Sequence, residues 1–144
     1  MKNFDELNDW LAICDLKARY CRLMDTKDWA GYTELFAEDY ELDVAQAGGV
    51  ELIRGREEAL RMVLSHIEHA VTAHQVHSPE IKLNGDEAKG IWAMQDRVIF
   101  PNGPSLTGYG HYHDRYVRRN GEWKIAASKL TRLHIDVHPT SAES

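Results

Sequence analysis

The second half of the chain reads as four long strands joined by tight turns, and this feature restricts the fold most. Asn-Gly-Asp at 84–86, Pro-Asn-Gly-Pro at 101–104 and Asn-Gly at 120–121 are the turn signals. Asn-Gly pairs readily adopt the positive φ angles that two-residue hairpins need. The pattern therefore predicts an antiparallel meander whose strands cover 72–83, 87–100, 105–119 and 122–135.

Helical patterns precede these strands. Asn3 and Glu6 form a capping-box pattern at the start of a helix predicted over 3–24. Asp28 is the expected N-cap of a short helix that runs through Leu35. The first half is completed by a predicted strand at 40–45, a turn at 47–49, a returning run at 50–55 and a third helix at 56–70. This order predicts an α+β fold in a single domain over 1–144, with a curved antiparallel sheet wrapped around N-terminal helices.

The charge and hydropathy of the chain exclude several classes of function. With a formal net charge of −6 and no dense Lys/Arg stripe, the sequence lacks the basic footprint of a nucleic-acid-binding protein. The N-terminal segment is acidic and lacks the apolar stretch of a signal peptide. No apolar run reaches the ~20 residues that cross a membrane. We therefore expect a cytoplasmic protein with no nucleic-acid or membrane partner.

One carboxylate falls on an apolar strand face. Strand alternation places Asp96 on the same face as Trp92, Met94, Val98 and Phe100. A carboxylate on such a face is costly unless it is paired, hydrogen-bonded or functional. A bulge that turns the side chain outward, or an arginine partner, would be the structural explanation.

A second carboxylate and a histidine are further candidates. Asp25 stands where an apolar helix face ends, so it is either a solvated loop acid or an acid that points into a cavity. His74 shares a strand face with Val76, while His77 lies on the other face. Histidine is a ready proton acceptor near neutral pH, which makes His74 a candidate base.

The segment at 108–116 is rich in polar aromatic residues. His111 and His113 share a face and could bind a metal, but no third ligand lies at a matching spacing, so no metal site is predicted. Tyr112, Asp114 and Tyr116 occupy the opposite face, for which we expect cross-strand packing and ion pairing on the outside of the sheet.

Three motifs carry a resemblance to a known family. They are Met-Asp-Thr-Lys-Asp-Trp at 24–29, the histidine strand at 74–81 and the segment Asp-Arg-Tyr-Val-Arg-Arg-Asn-Gly-Glu-Trp-Lys-Ile at 114–125. With helices first, the chain resembles the SnoaL-like group of the nuclear transport factor two-like superfamily, which includes the bile-acid and scytalone dehydratases. The resemblance implies a cone-shaped fold whose sheet encloses a mostly apolar pocket.

The resemblance also implies the site residues. Asp25 and His74 match an Asp–His pair in which the imidazole takes a proton from carbon, and Tyr20 matches a tyrosine of the site. Asp96 and Arg132 match a further acid and an arginine. The expected pocket residues are Trp10, Met24, Trp92, Met94, Val98, Phe100, Tyr109 and His111.

The function implied is a dehydratase-type elimination from a small hydrophobic cyclic substrate, a reaction that needs no cofactor. Two alternatives stay open: an isomerase or cyclase with the same base, and a non-catalytic protein such as the small subunit of a ring-hydroxylating dioxygenase. Fold alone does not choose among them. The resemblance further implies a homodimer or homotrimer.

Overall fold

The computed structural model describes residues 3–47 and 52–140. Its three helices are α1 (Phe4–Asp25), α2 (Trp29–Thr33) and α3 (Arg56–Ile67), and Ala45–Ala47 form a short 3₁₀ turn. Its strands are β1 (Phe36–Asp43), β2 (Ile53–Arg54), β3 (Val71–Asn84), β4 (Glu87–Ile99), β5 (Ser105–Arg119) and β6 (Glu122–His138). The α+β fold class is confirmed. Among the described residues, no helix is both long and apolar enough to cross a membrane.

The strands form one curved sheet that does not close, in the order β2-β1-β6-β5-β4-β3. The four long strands β3 to β6 form the predicted antiparallel meander. Gly85, Asn120 and Gly121 have positive φ angles at two of its turns, as the hairpin signals indicate. The sheet as a whole is mixed rather than antiparallel, because β1 pairs in parallel with β6.

Local caps fix both ends of the first helix. At its start the Asn3 side chain accepts a hydrogen bond from the Glu6 amide at 2.9 Å, as the capping-box pattern predicts. The helix includes Asp25, one residue beyond the predicted end, and Thr26 is its C-cap. Asp28 then caps α2 by accepting a hydrogen bond from the Gly31 amide at 3.0 Å.

The segment after α2 differs most from the sequence prediction. The strand β1 starts at Phe36, four residues earlier than predicted, so α2 ends at Thr33 instead of Leu35. Pairing with β6 accounts for this, since the Ile125 amide donates to the Leu35 carbonyl at 2.9 Å. Residues 48–51, which hold most of the predicted turn and the start of the returning run, lie outside the described residues. The third helix ends at Ile67 and not at 70.

The core lies between α1 and the inner, concave face of the sheet. The aromatic rings of Tyr20, Tyr32, Phe36 and Tyr112 pack there with centroid separations of 4.9–6.1 Å. Offset and edge-on ring contacts of this kind stabilise a core beyond the area that they bury. Two of these rings, Tyr20 and Tyr112, also line the pocket at the open end of this face.

The faces of β5 are the reverse of the prediction. Tyr112, Asp114 and Tyr116 are all buried on the inner face and do not lie on the outside of the sheet. Asp114 forms an ion pair with Lys17 of α1 at 2.8 Å, and both side chains are 0% exposed. A buried polar cluster therefore joins the first helix to the middle of the sheet.

Candidate active site

A pocket of about 200 Å³ occupies the open end of the concave face. Its walls come from α1, α3 and the inner faces of the sheet strands. The apolar lining includes Met24, Leu42, Val63, Val98, Phe100 and Leu130. The polar lining includes Tyr20, His74, Asp96, Tyr112, Ser128 and Arg132, with His66 exposed at the edge.

His74 reaches this pocket because of an irregularity in β3. The register between β3 and β4 shifts between His77 and Glu80, where Ser78 has a φ of 50°. A bulge of one residue exchanges the two faces of a strand. As a result His74 lies on the inner face and pairs across the sheet with Asp96.

The imidazole of His74 is held by Asp25. Its Nδ1 lies 2.7 Å from Asp25 Oδ1, and its backbone amide donates to Oδ2 at 2.8 Å. The side chain of His74 is 7% exposed and that of Asp25 is 22% exposed. With Nδ1 donating to the carboxylate, Nε2 carries the free lone pair. This is the geometry of an orienting carboxylate and a base.

Asp25 is an ionised acceptor in this arrangement. Burial raises the pKa of its carboxyl group, but hydrogen bonds from the His74 side chain and amide, the charge of His74 and a hydrogen bond from Thr72 together hold that pKa below its ordinary value. The Thr72 hydroxyl donates to Asp25 Oδ1 at 2.9 Å and accepts from Lys27 Nζ at 2.9 Å. The carboxylate thus has hydrogen-bond donors on both oxygens.

We expect Asp25 to stabilise the fold in a pH-dependent manner. Because its folded pKa lies below the ordinary 3.8, its contribution is full above that value and is lost as the pH falls through the folded value. Asp25→Asn should therefore flatten the decrease in Tm on acidification from pH 5 to about pH 2, as followed by circular dichroism. The exposed Asp15 provides the control: an equal flattening in Asp15→Asn would contradict this assignment.

Asp96 and Arg132 form a second polar pair beside the histidine. Arg132 donates to the two Asp96 oxygens at 2.7 and 3.0 Å, so the predicted arginine partner is present. Asp96 Oδ2 lies 3.9 Å from His74 Nε2, which is too long for a hydrogen bond. Gly108 lies against this pair, and a Cβ atom there would collide with both side chains.

Arg132→Lys is expected to weaken both the fold and the site. A lysine cannot reproduce the two parallel hydrogen bonds of a guanidinium, so the buried Asp96 carboxylate would lose one donor. We expect a loss of about 1–3 kcal/mol in the free energy of unfolding, measured by urea denaturation. The exposed Arg54 is the matched control, and an equal loss in Arg54→Lys would contradict the argument.

Two buried tyrosines, Tyr20 and Tyr112, line the pocket. Burial raises the pKa of both Tyr20 and Tyr112 well above the ordinary value, with nearby ionisable groups adding to the effect. Both phenols therefore stay protonated and act as hydrogen-bond donors. Behind them, Lys17 Nζ lies 4.0 Å from the Tyr20 ring centroid and 3.9 Å from that of Tyr112.

The structure brings together most of the predicted polar residues. His74, Tyr20, Asp96 and Arg132 line one pocket, and Asp25 lies directly behind His74. The two α1 residues contribute in different ways: the Asp25 side chain bonds to His74 of β3, whereas Tyr20 lines the pocket itself. Of the predicted apolar wall, Met24, Val98 and Phe100 line the pocket.

Five predicted pocket residues lie elsewhere. Trp10 is half-buried on α1 outside the pocket, and Trp92 is in the core with its indole N–H donating to the Tyr116 hydroxyl at 2.9 Å. Met94 is buried next to Arg132, with its sulfur 3.7 Å from a guanidinium nitrogen, but it is not part of the lining. Tyr109 and His111 are on the outer face of β5.

Two crowded glycines lie on the inner face of β5. A Cβ atom at Gly110 would collide with the Thr131 carbonyl, and Gly108 is crowded by the Asp96–Arg132 pair. Both glycines therefore share the inner face with Tyr112, which leaves Tyr109 and His111 outside. The Gly-x-Gly spacing at 108–110 is the sequence signal that could have assigned this face correctly.

Neither cysteine takes part in the site. Burial raises the pKa of the Cys21 thiol to about 11, which keeps it protonated at neutral pH. Cys14 is half-buried, and both thiols are free. Within 3–47 and 52–140, no group of three or more His, Cys, Asp or Glu side chains is arranged to hold a metal ion.

Comparison with known proteins identifies the family. The SnoaL-like domain matches residues 5–129. A structure of Rv3472, a protein of unknown function from Mycobacterium tuberculosis, is 27% identical with a TM-score of 0.76 and covers 89% of this chain and 73% of its own. Two further similar structures are the hexachlorocyclohexane dehydrochlorinase LinA-type3 of Novosphingobium barchaimii and a candidate scytalone dehydratase of Novosphingobium aromaticivorans.

The likeness to these last two structures is that of the fold. The dehydrochlorinase is 21% identical with a TM-score of 0.79, over 95% of this chain and 93% of its own. The candidate dehydratase is 21% identical with a TM-score of 0.81, over 91% and 88%. Since the matched domain spans most of the sequence, the chain belongs to the SnoaL-like domain family.

Proposed function

We propose that this protein is a cofactor-independent lyase that eliminates a leaving group from a small hydrophobic ring. The observation that carries the proposal is the pairing of His74 Nδ1 with Asp25 at 2.7 Å at the wall of an apolar pocket. An imidazole held in this way offers its other nitrogen to a substrate as a general base. The match to the SnoaL-like domain supports the same class of chemistry.

In the proposed reaction, His74 Nε2 takes a proton from a carbon next to a carbonyl or conjugated group. The electron pair of that C–H bond forms the new double bond, and the leaving group departs with its own bonding pair. Asp25 stabilises the imidazolium through its contact with Nδ1. Asp96 Oδ2 lies 3.9 Å from Nε2, the nitrogen that takes the proton. A departing hydroxyl takes the proton from the imidazolium and leaves as water.

The pocket polar groups suit a developing oxyanion. Tyr20 and Tyr112 remain protonated, so their hydroxyl groups can donate hydrogen bonds to an enolate oxygen. The Arg132 guanidinium adds positive charge near the same region, although Asp96 accepts two of its hydrogen bonds. A substrate with one carbonyl oxygen next to the acidic carbon would use these donors.

The size of the pocket restricts the substrate. A cavity of about 150 Å³ is known to hold a benzene ring, and this pocket has about 200 Å³ with mostly apolar walls. The volume therefore suits one six-membered ring with few substituents better than a steroid-sized molecule. Affinity would come from the apolar walls and orientation from the few polar groups.

An isomerase or cyclase is the second candidate, because a proton held on His74 Nε2 could equally return to another carbon. Incubation in D₂O separates the two reactions. Elimination produces an unsaturated ring and a released group, whereas isomerisation retains all substituents and carries deuterium at the new position where the imidazolium proton has exchanged with solvent.

The proposal is tested with a set of cyclic β-hydroxy and β-halo ketones. We expect the wild-type protein to release water or halide from at least one of them, detected by the absorbance of the conjugated product. A ring compound that binds with no turnover would favour the non-catalytic alternative, and turnover that His74→Gln retains in full would overturn the proposed base.

The expected homodimer or homotrimer stays a prediction, for which the exposed apolar residues of β6, Leu133 and Val137, are candidate contacts.

A further inference from the structure

An unusual residue follows the helix that carries Asp25. Lys27 has a φ of 61°, in the left-handed region that favours glycine. The Asp28 amide donates to the Leu23 carbonyl at 2.9 Å, and the Lys27 amide donates to the Met24 carbonyl at 3.2 Å. These two bonds define a Schellman motif, whose left-handed position is usually a glycine. Because glycine is usual at this position, the contacts of the Lys27 side chain are of interest.

The side chain of Lys27 is directed toward the candidate base. Its Nζ donates to the Thr72 hydroxyl at 2.9 Å, and Thr72 is itself buried. A hydroxyl group has one proton, so the oxygen that accepts from lysine directs its own hydrogen elsewhere. That hydrogen goes to Asp25 Oδ1 at 2.9 Å, the same oxygen that receives His74 Nδ1.

We propose that Lys27 is a positioning residue, which acts through the Thr72 hydroxyl to fix the orientation and the negative charge of the Asp25 carboxylate that holds His74. The inference rests on the proposed function, because it assigns a purpose to the same base. The ammonium donates to the Thr72 hydroxyl, which donates to Asp25, and the imidazole donates to the same carboxylate, so these hydrogen bonds converge on Asp25. Asp25 then presents one oxygen to the imidazole and the other to the His74 amide.

Burial and charge agree with this arrangement. Burial lowers the pKa of the Lys27 ammonium, while the attraction of Asp25 opposes that shift. The ring of Trp29 lies 5.8 Å from Nζ, within the range of a cation–π contact. The ammonium is held between the Thr72 hydroxyl and the face of Trp29, and Thr72 connects it to the carboxylate.

The other charged and titratable groups around Asp25 and His74 come from several elements. Asp96 of β4 faces the second nitrogen of the imidazole, and Arg132 of β6 is bound to Asp96 in two hydrogen bonds. Tyr20, Tyr112 and His66 line the same pocket. Arg132 is committed to Asp96, whereas Lys27 acts on Asp25 through the Thr72 hydroxyl.

The test is an NMR titration of the Asp25 carboxyl carbon, which needs no substrate. In Lys27→Met and Lys27→Gly we expect its pKa to rise by about half a pH unit to one unit, because a neighbouring positive charge has been removed. Lys27→Arg should restore most of the wild-type value. Lys27→Gly suits the left-handed backbone, so this variant remains folded even if Lys27→Met does not.

Lys82→Met is the matched control, because Lys82 is an exposed lysine near the far end of β3, and it should leave the Asp25 titration unchanged. On a substrate that the wild-type protein converts, Lys27→Met and Lys27→Gly should lower kcat severalfold with little change in KM. They should also move the acidic limb of the profile of kcat against pH to higher pH. An Asp25 titration that stays at the wild-type value in Lys27→Gly would overturn the inference. Failure of the proposed function has a different signature, which is full turnover by His74→Gln.

Discussion

Replacement of His74 with glutamine is expected to lower kcat by about 10²–10⁴-fold on a substrate that the wild-type protein converts. Glutamine can keep a hydrogen bond to Asp25 but cannot accept a proton from carbon. The His74 side chain is 7% exposed and lies 2.7 Å from Asp25, so a replacement has to fit a confined space. Glutamine is neutral and similar in size to histidine. Steady-state kinetics with a circular dichroism spectrum on the same sample measure activity and folding together.

His77→Gln is the matched control. His77 lies on the same strand, is exposed and does not line the pocket. The turnover of the His77→Gln variant should therefore equal that of the wild type. Asp25→Asn should lose activity as well, because an amide does not stabilise the imidazolium as a carboxylate does. Wild-type turnover in His74→Gln would remove the general base from the mechanism. Equal losses in His77→Gln would point to a structural effect on β3.

Much of the fold was predictable from short-range signals. The Asn-Gly turns and the caps at Asn3 and Asp28 act within a few residues, so their structural consequences are visible in the sequence. The parallel pairing of β1 with β6 was not predictable in this way. Phe36 and Ile125 are far apart along the chain, and their pairing starts a strand at Phe36, directly after the predicted end of α2.

The site was predictable where a residue type conflicted with its surroundings. Asp96 on an apolar face required a partner, and Arg132 is that partner. The placement of His74 depended on the bulge at Ser78, which the sequence does not specify. Strand alternation placed His74 on the same face as Val76 but did not show that this face is the inner one. The side chains of Lys27 and Thr72 were missed, because their link to Asp25 joins distant segments.

The error on β5 has a different cause. Polar aromatic residues occur on both faces of that strand, so the residue types do not show which face is buried. Charged side chains are usually exposed, so Asp114 indicated an outer face. Its ion pair with Lys17 instead makes it part of the core. The two inner glycines are the distinguishing signal, because neither position has room for a Cβ atom.

The buried ion pair leads to the largest expected change in stability. Lys17→Met should lower the free energy of unfolding by about 3–5 kcal/mol, because it leaves the Asp114 carboxylate buried without a positive partner. Both side chains are 0% exposed, and the Tyr116 hydroxyl, which donates to Asp114 Oδ2 at 2.7 Å, cannot neutralise the charge. Urea denaturation monitored by tryptophan fluorescence measures the change.

A double variant separates this electrostatic cause from a loss of packing. Lys17→Met with Asp114→Asn buries no net charge, so we expect it to recover a substantial part of the stability that Lys17→Met loses. The asparagine oxygen can still accept from Tyr116, which keeps that hydrogen bond in place. Arg119→Met, which breaks an exposed pair with Asp39, should cost far less stability than Lys17→Met. A double variant no more stable than Lys17→Met would show that the methylene packing of Lys17, and not its charge, holds the helix against the sheet.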